Sequence, residues 1–258
     1  MVTSRTYIIA EAGVNHNGSI HFARRLIDEA RKAGADAVKF QAFHSEDLVT
    51  KATPQAVYQR RDRTGDSTQW TMLKKLELNE SEQKELSLHA RRRGIEFLAT
   101  PFDLRSLNFL VQIGVKKIKI SSGDLTNGPL LLAAARTKLP VILSTGMATL
   151  REIENALAVL AFGYRHPGIE LKSLLQAKRL FRSRASKILL RRKVCLLQCT
   201  TEYPAPNGEI NLRAMEVMRT RFDCAIGLSD HSTGIVAPIA AVSCGAAVIE
   251  KHFTLSKR

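Results

Sequence analysis

Residues 7–18, YIIAEAGVNHNG, join an apolar run typical of a buried strand to several polar side chains. Glu11 lies within the run, and His16 and Asn17 follow it before a glycine. An apolar run that ends in polar groups recurs seven more times along the chain. The further runs are AVKFQAF (37–43), IEFLATPF (95–102), KIKISSG (117–123), PVILSTG (140–146), VCLLQCT (194–200), CAIGLSD (224–230) and VIEKHFT (248–254). The repetition indicates that the polar groups serve one purpose at the strand ends.

Segments of helical length separate most of these runs, and no linker rich in Pro, Gly or Ser divides the chain. Thr149 and Glu152 have capping-box spacing at the start of one helical pattern. Another pattern covers residues 19–35, with Gly34 near its end. Its apolar stripe consists of Phe22, Leu26, Ile27 and Ala30. Eight strands separated by helices predict a parallel sheet, and the number eight favours a (β/α)8 TIM barrel formed by residues 1–258 as a single domain.

The composition fits such a barrel, since 258 residues with 45% apolar side chains can bury a sizeable core. The sequence contains no apolar run long enough for a transmembrane helix, and its start does not have the pattern of a signal peptide. The four cysteines lie in apolar segments without metal-finger spacing and are interpreted as reduced core thiols: Cys195, Cys199, Cys224 and Cys244. The expectation is a soluble protein of the cytoplasm that does not bind membranes.

The formal charge of +15 is concentrated in residues 163–193, which contain ten Lys or Arg and one Glu. Apolar residues recur there at helical spacing and predict a basic amphipathic helix inserted before the sixth strand: Leu171, Leu174, Leu175, Phe181, Ala185 and Ile188. The favoured interpretation is a helix that packs on the barrel exterior with solvated charges. Nucleic-acid binding receives little support, because the segment holds two aromatic residues, Tyr164 and Phe181, and no recognition motif.

The strand ends place their polar residues on the inner face of the barrel. Side chains alternate along a strand, so Lys39 and Gln41 share one face while Val38 and Phe40 share the other. Helices cover the outer face of a barrel, which must therefore be apolar, and active sites lie at the carboxyl ends of the strands. The predicted inward ring consists of Glu11, Lys39, Gln41, Thr100, Lys119, Ser121, Ser122, Ser144, Thr200, Thr201, Tyr203, Ser229, His231 and His252.

The residue types in this ring suggest anion binding and a metal. Lys39 and Lys119 among several hydroxyls suit a phosphate or a phospho-carboxylate. His231 and His252 end neighbouring strands, about 4.8 Å apart, so both imidazoles could reach one Mn²⁺, Mg²⁺ or Co²⁺ ion. From spacing alone, it is equally open that the two histidines have no shared role. Asp230 either forms a hydrogen bond with a metal-binding histidine and orients it, or serves only as a turn residue.

Nine ordered motifs resemble the N-acetylneuraminate (sialic acid) synthase family, which includes the legionaminate and pseudaminate synthases. The motifs are IIAEAGVNHNG, GADAVKFQ, FLATPFD, KIKISSGDLTN, ILSTGMATLREI, LLQCTTEYPAP, NLRAM, GLSDHSTG and VIEKHFTL. The resemblance implies a metal-dependent transferase. Such an enzyme condenses phosphoenolpyruvate with an N-acetylated amino sugar, N-acetylmannosamine or a related one, to a nine-carbon keto acid and phosphate.

The resemblance also implies a role for each matching position. The phosphoenolpyruvate pocket would comprise Lys39, Thr100, Lys119, Ser122, Ser144 and Ser229. The sugar would contact Gln41 and Tyr203, Glu11 would be the general acid or base, and His231 and His252 would bind the metal, with Mn²⁺ favoured over Mg²⁺ or Co²⁺. The family further implies a homodimer.

Two departures from the family pattern stand out. Thr201 occupies a position where some members have Asn near the phosphate. The sequence stops at FTLSKR, ahead of the family's last barrel helix and its C-terminal antifreeze-like domain. The expectation is therefore a barrel without these parts that is marginally stable, self-associates or is bound to a covering partner. There are two alternatives: a truncated homologue with little or no activity, and another phosphoenolpyruvate-using keto-sugar synthase.

Overall fold

A computed structural model of the chain describes residues 5–55 and 68–256. All eight predicted strands are present. They are β1 (Tyr7–Gly13), β2 (Ala37–Ala42), β3 (Glu96–Pro101), β4 (Ile118–Ile120), β5 (Val141–Ser144), β6 (Val194–Cys199), β7 (Ala225–Asp230) and β8 (Val248–His252). The strand β4 is shorter than its apolar run because Ser121 ends it. The Ser121 side chain accepts a hydrogen bond from the backbone of Asp124 and starts a 3₁₀ turn over Ser122–Asp124.

Helices follow the strands along the chain. They are α1 (Ile20–Lys32), α2 (Ser45–Leu48), α3 (Gln69–Leu76), α4 (Glu80–Arg93), α5 (Leu104–Gln112), α6 (Gly128–Arg136), α7 (Leu150–Arg165), α8 (Leu174–Phe181), α9 (Arg184–Lys193), α10 (Arg213–Phe222) and α11 (Val236–Ser243). The predicted capping box is confirmed at α7, where the side chain of Thr149 and that of Glu152 each bond the other's backbone.

The eight strands are parallel and form one sheet in the order β3-β2-β1-β8-β7-β6-β5-β4. Parallel strands that alternate with helices constitute the predicted (β/α)8 arrangement. The chain divides into two compact units. The first unit contains the residues up to Ile9 together with Val115–Lys251, and the second contains Ala10–Gly114 and the residues from His252 onward. The organisation as a single domain remains a prediction.

In the first unit, close approach of β7 and β8 positions the polar strand ends. Gly227 pairs with Val248, and Ser229 pairs with Glu250. A Cβ atom on Gly227 would lie 2.2 Å from the Val248 carbonyl oxygen, so only glycine permits this spacing. The close contact between β7 and β8 therefore requires glycine at position 227, two residues before Ser229.

In the second unit, α1 packs through Ala23, Leu26, Ile27 and Ala30, all of which are buried. Phe22 was predicted to belong to this stripe, but it is 40% exposed. The buried stripe passes through the neighbouring position, Ala23, so Phe22 points away from the core. That prediction is wrong by one helix position.

The basic segment contains the end of α7 and two complete short helices, α8 and α9, where a single amphipathic helix was predicted. Gly163 to Arg165 complete α7, and Ser183 separates α8 from α9 by accepting a hydrogen bond from the backbone of Ser186. Ala177 of α8 packs against Ala158 and Phe162 of α7. The cationic side chains remain mostly exposed, as the packed-helix interpretation expects.

The four cysteines are free thiols, as predicted. Burial raises the pKa of Cys195 and of Cys224 to about 12, which makes both unreactive. Cys244 contradicts the core assignment, because it is exposed at the C-terminal end of α11. No helix in the described ranges is long and apolar enough to cross a membrane.

Candidate active site

A buried ion pair joins β1 to β2 in the second unit. The Nζ atom of Lys39 lies 2.7 Å from Oε2 of Glu11, and each side chain is 4% exposed. Lys39 also donates a hydrogen bond of 3.0 Å to the hydroxyl of Thr100 on β3. A buried ion pair is costly to desolvate and contributes little stability relative to apolar packing. The three residues were all predicted site residues, and their chemistry suits anion binding and proton transfer.

Gly13, at the end of β1, opens a space that Glu11 and His252 border. Its φ of +53° is in the left-handed region that favours glycine. A Cβ atom there would lie 3.4 Å from Oε1 of Glu11 and 3.6 Å from Cε1 of His252. The predicted acid or base and one predicted metal ligand are therefore neighbours. Gln41 lies on β2 opposite Thr100 and is half-buried.

A second cluster lies at the strand ends of the first unit. Lys119 donates a hydrogen bond of 2.8 Å to the hydroxyl of Ser144, and its Nζ atom is 3.5 Å from Oε1 of Glu250. The hydroxyl of Ser229 donates to the same Glu250 oxygen at 2.9 Å. Four strands, β4, β5, β7 and β8, thus contribute one polar side chain each to a buried group.

Glu250 is a member of this cluster that was not among the predicted site residues. A signal for it was present in the sequence, because Glu250 lies two residues before His252 and shares its strand face. The pairing of Ser229 with Glu250 across β7 and β8 turns that position into a contact.

Ser122 lies beside the loop that follows β5. Its hydroxyl accepts a hydrogen bond of 2.9 Å from the backbone N–H of Gly146. A Cβ atom on Gly146 would lie 2.6 Å from Cγ2 of Thr201, so a larger residue would displace this loop. The structure therefore brings Ser122 and Thr201, two members of the predicted ring, to the same glycine.

His231 directly follows β7 and is held in one tautomer. Its Nδ1 atom is 2.7 Å from the carbonyl oxygen of Thr200, which can only accept, so Nδ1 carries the proton and Nε2 the lone pair. Burial lowers the pKa of His231, which favours the neutral form that binds metals. The ring of Tyr203 lies 4.3 Å from the His231 ring, centroid to centroid. A predicted metal ligand and a predicted sugar contact are therefore adjacent.

Asp230 fixes the turn that carries His231. Its Oδ1 accepts hydrogen bonds from the backbone and hydroxyl of Ser232 at 3.0 and 2.7 Å. Its Oδ2 lies 2.5 Å from Nζ of Lys251, which also donates to the Ser232 carbonyl at 2.8 Å. Of the two interpretations of Asp230, these contacts support the turn residue.

Two sets of residues have the chemistry of a metal site. His231 offers a neutral imidazole, and His252 offers another beside the Glu11 carboxylate, so both fit a divalent ion as nitrogen donors. His231 belongs to the first unit and His252 to the second, and their binding of one ion remains a prediction.

Within the described residues, one group places three ligand atoms within 4.8 Å of one another: His44, Asp47 and Asp103. Asp103 is the N-cap of α5, and its carboxylate accepts hydrogen bonds from the backbone of Ser106 at 2.6 Å and of His44 at 3.2 Å. These bonds give Asp103 a structural role, because they hold the start of α5 in place.

Parallel strands and intervening helices define a protein of the TIM-barrel class, and the charged clusters lie at the carboxyl ends of its strands. Comparison with known families narrows this class. The chain belongs to the NeuB family, whose sequence model matches residues 26–258.

Named relatives agree with this assignment. The chain is 45% identical over 253 residues to an N,N'-diacetyllegionaminic acid synthase from Campylobacter jejuni, covering 98% of this chain and 69% of the relative. It is 44% identical over 251 residues to the synthase of that name from Legionella pneumophila, covering 97% of this chain and 64% of the relative. The chain thus spans about two thirds of the length of these relatives.

A solved structure supports the fold. The crystal structure of N-acetylneuraminic acid (sialic acid) synthetase from Leptospira borgpetersenii, in complex with citrate, matches with a TM-score of 0.77 and 36% identity. The match covers 98% of this chain and 75% of that one. The predicted fold class and family are therefore confirmed.

Proposed function

We propose that this chain condenses phosphoenolpyruvate with an N-acetylated amino sugar and releases phosphate and a nine-carbon α-keto acid. The single observation that carries the proposal is Lys119, a buried cation that donates to Ser144 at 2.8 Å and shares Glu250 with Ser229. A buried lysine among hydroxyls suits a phosphate or carboxylate ligand, because each contact is charge-assisted or orienting. The names of the relatives supply the reaction class.

The proposed phosphoenolpyruvate ligands are two lysines and four residues with hydroxyl groups. Lys119, Ser144, Ser229 and Ser122 are the candidates of the first unit, and Lys39 and Thr100 are those of the second. Lysine supplies a compact charge for the phosphate and the carboxylate, while the hydroxyls orient them. Each charge-assisted contact contributes roughly 1.5–3 kcal/mol to binding.

Glu11 is proposed as the general acid or base. C3 of the enol attacks the aldehyde carbon of the sugar, positive charge develops at C2, and water adds there. The carboxylate either accepts a proton from that water or, after protonation, donates one to the former aldehyde oxygen, which becomes the new hydroxyl. The bond between C2 and the phosphate oxygen then breaks, which releases phosphate and leaves the keto group. Its ion pair with Lys39, at 2.7 Å, holds the carboxylate in position.

His231 and His252 are the residues proposed to hold a divalent ion, with Mn²⁺ favoured. When bound, such an ion supplies Lewis-acid activation of an aldehyde oxygen. The hydrogen bond from Nδ1 of His231 to Thr200 directs Nε2 as the ligand atom. Tyr203, whose ring lies beside that of His231, and Gln41 are proposed to contact the sugar.

The proposed sugar carries two acetamido groups. The relatives at 45% and 44% identity are named for a diacetylated product, while the sialic acid synthetase structure is 36% identical. N-acetylmannosamine is the competing substrate. It carries one acetamido group and not two, so the turnover rates with the two sugars distinguish the proposals.

The test is turnover by the 258-residue chain with phosphoenolpyruvate, Mn²⁺ and either amino sugar. We expect sugar-dependent phosphate release, faster with the diacetylated sugar, together with a keto acid visible by mass spectrometry. Glu11→Gln should retain phosphoenolpyruvate binding and lose turnover by about 10²–10⁴-fold, the usual contribution of a proton-transferring group. Binding without phosphate release would identify a non-catalytic homologue. If the chain turned over phosphoenolpyruvate with a phosphorylated aldose but with neither amino sugar, it would be a different keto-sugar synthase.

We further propose a homodimer that acts in the cytoplasm. An apolar stripe along α11 supports a partner: Ile235, Val236, Ile239 and Val242 are 65%, 78%, 58% and 44% exposed. The four free thiols support a reducing compartment. A monomeric mass in solution would contradict the dimer.

A further inference from the structure

The crossover between β5 and β6 contains more helix than the fold requires. A single helix suffices to connect two neighbouring parallel strands of a (β/α)8 fold. Here α7, α8 and α9 all lie between Ser144 and Val194. The helix α8 packs on α7 through Ala177, with Leu180 and Phe181 half-buried in the same apolar cluster. The pair α8 and α9 is thus an addition to the fold, and its outer surface is available for another purpose.

This outer surface is strongly cationic and poorly neutralised. Six exposed cations, together with the helices that carry them, form what we call the basic face: Lys172, Arg179, Arg182, Arg184, Lys187 and Arg192. Within residues 5–55 and 68–256, none of the six has an acidic partner. Arg191, by contrast, lies 3.6 Å from Asp223. Six cations without acidic partners within residues 172–192 give this segment a net positive charge that attracts anions.

Aliphatic side chains are exposed on the same helices. Leu174, Leu175 and Ile188 are 40%, 59% and 43% exposed, close in sequence to the cations. Leu175 and Leu180 also line an open cavity of about 410 Å³ that Phe162 of α7 borders and Arg179 flanks. The basic face therefore combines charge with apolar surface that water solvates poorly.

This combination distinguishes among anionic partners. Single-stranded nucleic acid is bound by cations together with aromatic side chains that stack on bases. The one aromatic residue of α8 and α9, Phe181, is half-buried against Ala158 and Phe162. Exposed aliphatic residues flanked by Lys and Arg are typical of helices that lie at a bilayer surface, where apolar groups enter the headgroup region and cations meet anionic lipids.

We propose that the basic face docks the chain on an anionic lipid surface. The cations contact the headgroups, and Leu174, Leu175 and Ile188 enter the boundary with the acyl chains. The docking is peripheral and depends on salt, because exposed charges are screened over about 8 Å at physiological ionic strength. It differs from the expectation that the chain avoids membranes, and it is independent of the proposed catalytic function.

The first test is co-sedimentation of the full chain with phosphatidylcholine vesicles, with and without phosphatidylglycerol. We expect binding only to the anionic vesicles and release by added salt. The variant Arg179→Glu, Arg184→Glu, Lys187→Glu should weaken binding on the order of 100-fold or more, since each cation near such a surface contributes about fivefold. The matched control reverses three exposed cations of α1 and α4: Arg31→Glu, Lys84→Glu and Arg91→Glu.

The control has the same net charge as the test variant and should bind within a few-fold of the parent. If both variants lost the same vesicle affinity, binding would depend on the net charge of the chain and not on the basic face, and the proposal would be overturned. Equal binding to vesicles with and without phosphatidylglycerol would overturn it as well. All six positions are exposed, so both variants should melt like the parent.

The second test separates a lipid surface from other polyanions. The variant Leu175→Asn, Ile188→Asn keeps every charge and removes two exposed aliphatic groups. It should bind anionic vesicles several-fold more weakly and bind duplex DNA as the parent does. An unchanged vesicle affinity, or a DNA affinity as strong as that for vesicles, would show that the basic face recognises polyanions in general and not lipid.

Discussion

Replacing Lys119 with Met is expected to weaken phosphoenolpyruvate binding by roughly 1.5–3 kcal/mol, about 10–150-fold, and to destabilise the protein. The substitution removes the cation proposed to hold the phosphate or carboxylate. It also leaves Glu250, whose Oε1 lies 3.5 Å from Lys119, as a buried carboxylate without this counterion. Breaking a buried pair in this way typically costs about 3–5 kcal/mol. Calorimetry with phosphoenolpyruvate and a thermal melt measure the two effects separately.

A second substitution distinguishes loss of the ligand site from loss of stability. In the double variant Lys119→Met, Glu250→Gln the buried charge is gone, so the melting temperature should recover most of the loss while phosphoenolpyruvate binding stays weak. Lys116→Met is the matched control, because Lys116 is exposed and lies just before the same strand. If Lys119→Met bound phosphoenolpyruvate like the parent, the anion site would have to lie elsewhere.

Replacing His231 or His252 with Ala is expected to weaken Mn²⁺ binding by at least about 100-fold and to abolish metal-dependent turnover. Loss of a residue that hydrogen-bonds a metal ligand already lowers metal affinity by about 10–100-fold. Loss of the ligand itself should lower it further. Titration of Mn²⁺ followed by electron paramagnetic resonance measures binding without any need for activity. His21→Ala is the matched control, because His21 is exposed on α1.

The group formed by His44, Asp47 and Asp103 supplies the competing outcome. If this group held the ion, Asp47→Asn would lower Mn²⁺ affinity and His252→Ala would not. Asp47 is exposed, so its substitution should leave the fold intact. Parental Mn²⁺ affinity in His252→Ala would refute the assignment to the strand-end histidines.

Elements with a strong local signal were predictable in detail. The run YIIAEAG coincides with β1, and the Thr149–Glu152 capping box marks the start of α7. Both depend on interactions between residues close in sequence. The break between α8 and α9 was missed because Ser183 lies inside a helical apolar pattern, and its capping bond to Ser186 is visible only in the structure.

The candidate site was predictable as a set of positions but not as a set of contacts. Alternation along β2 and β4 placed Lys39 and Lys119 on the inner face, and both lysines are 3% exposed in the folded chain. Glu250 was missed as a partner because nothing within its own strand indicates that Lys119, 131 positions earlier, lies beside it.

The sequence by itself determined the eight strands and the family, because both follow from local periodicity and from ordered motifs. The tertiary structure alone decided the partners: Lys39 with Glu11, Lys119 with Glu250, and Lys251 with Asp230. The reason is physical. Which charges meet depends on the register between strands far apart in the chain, and packing between the strands contributes to that register, as at Gly227 against Val248.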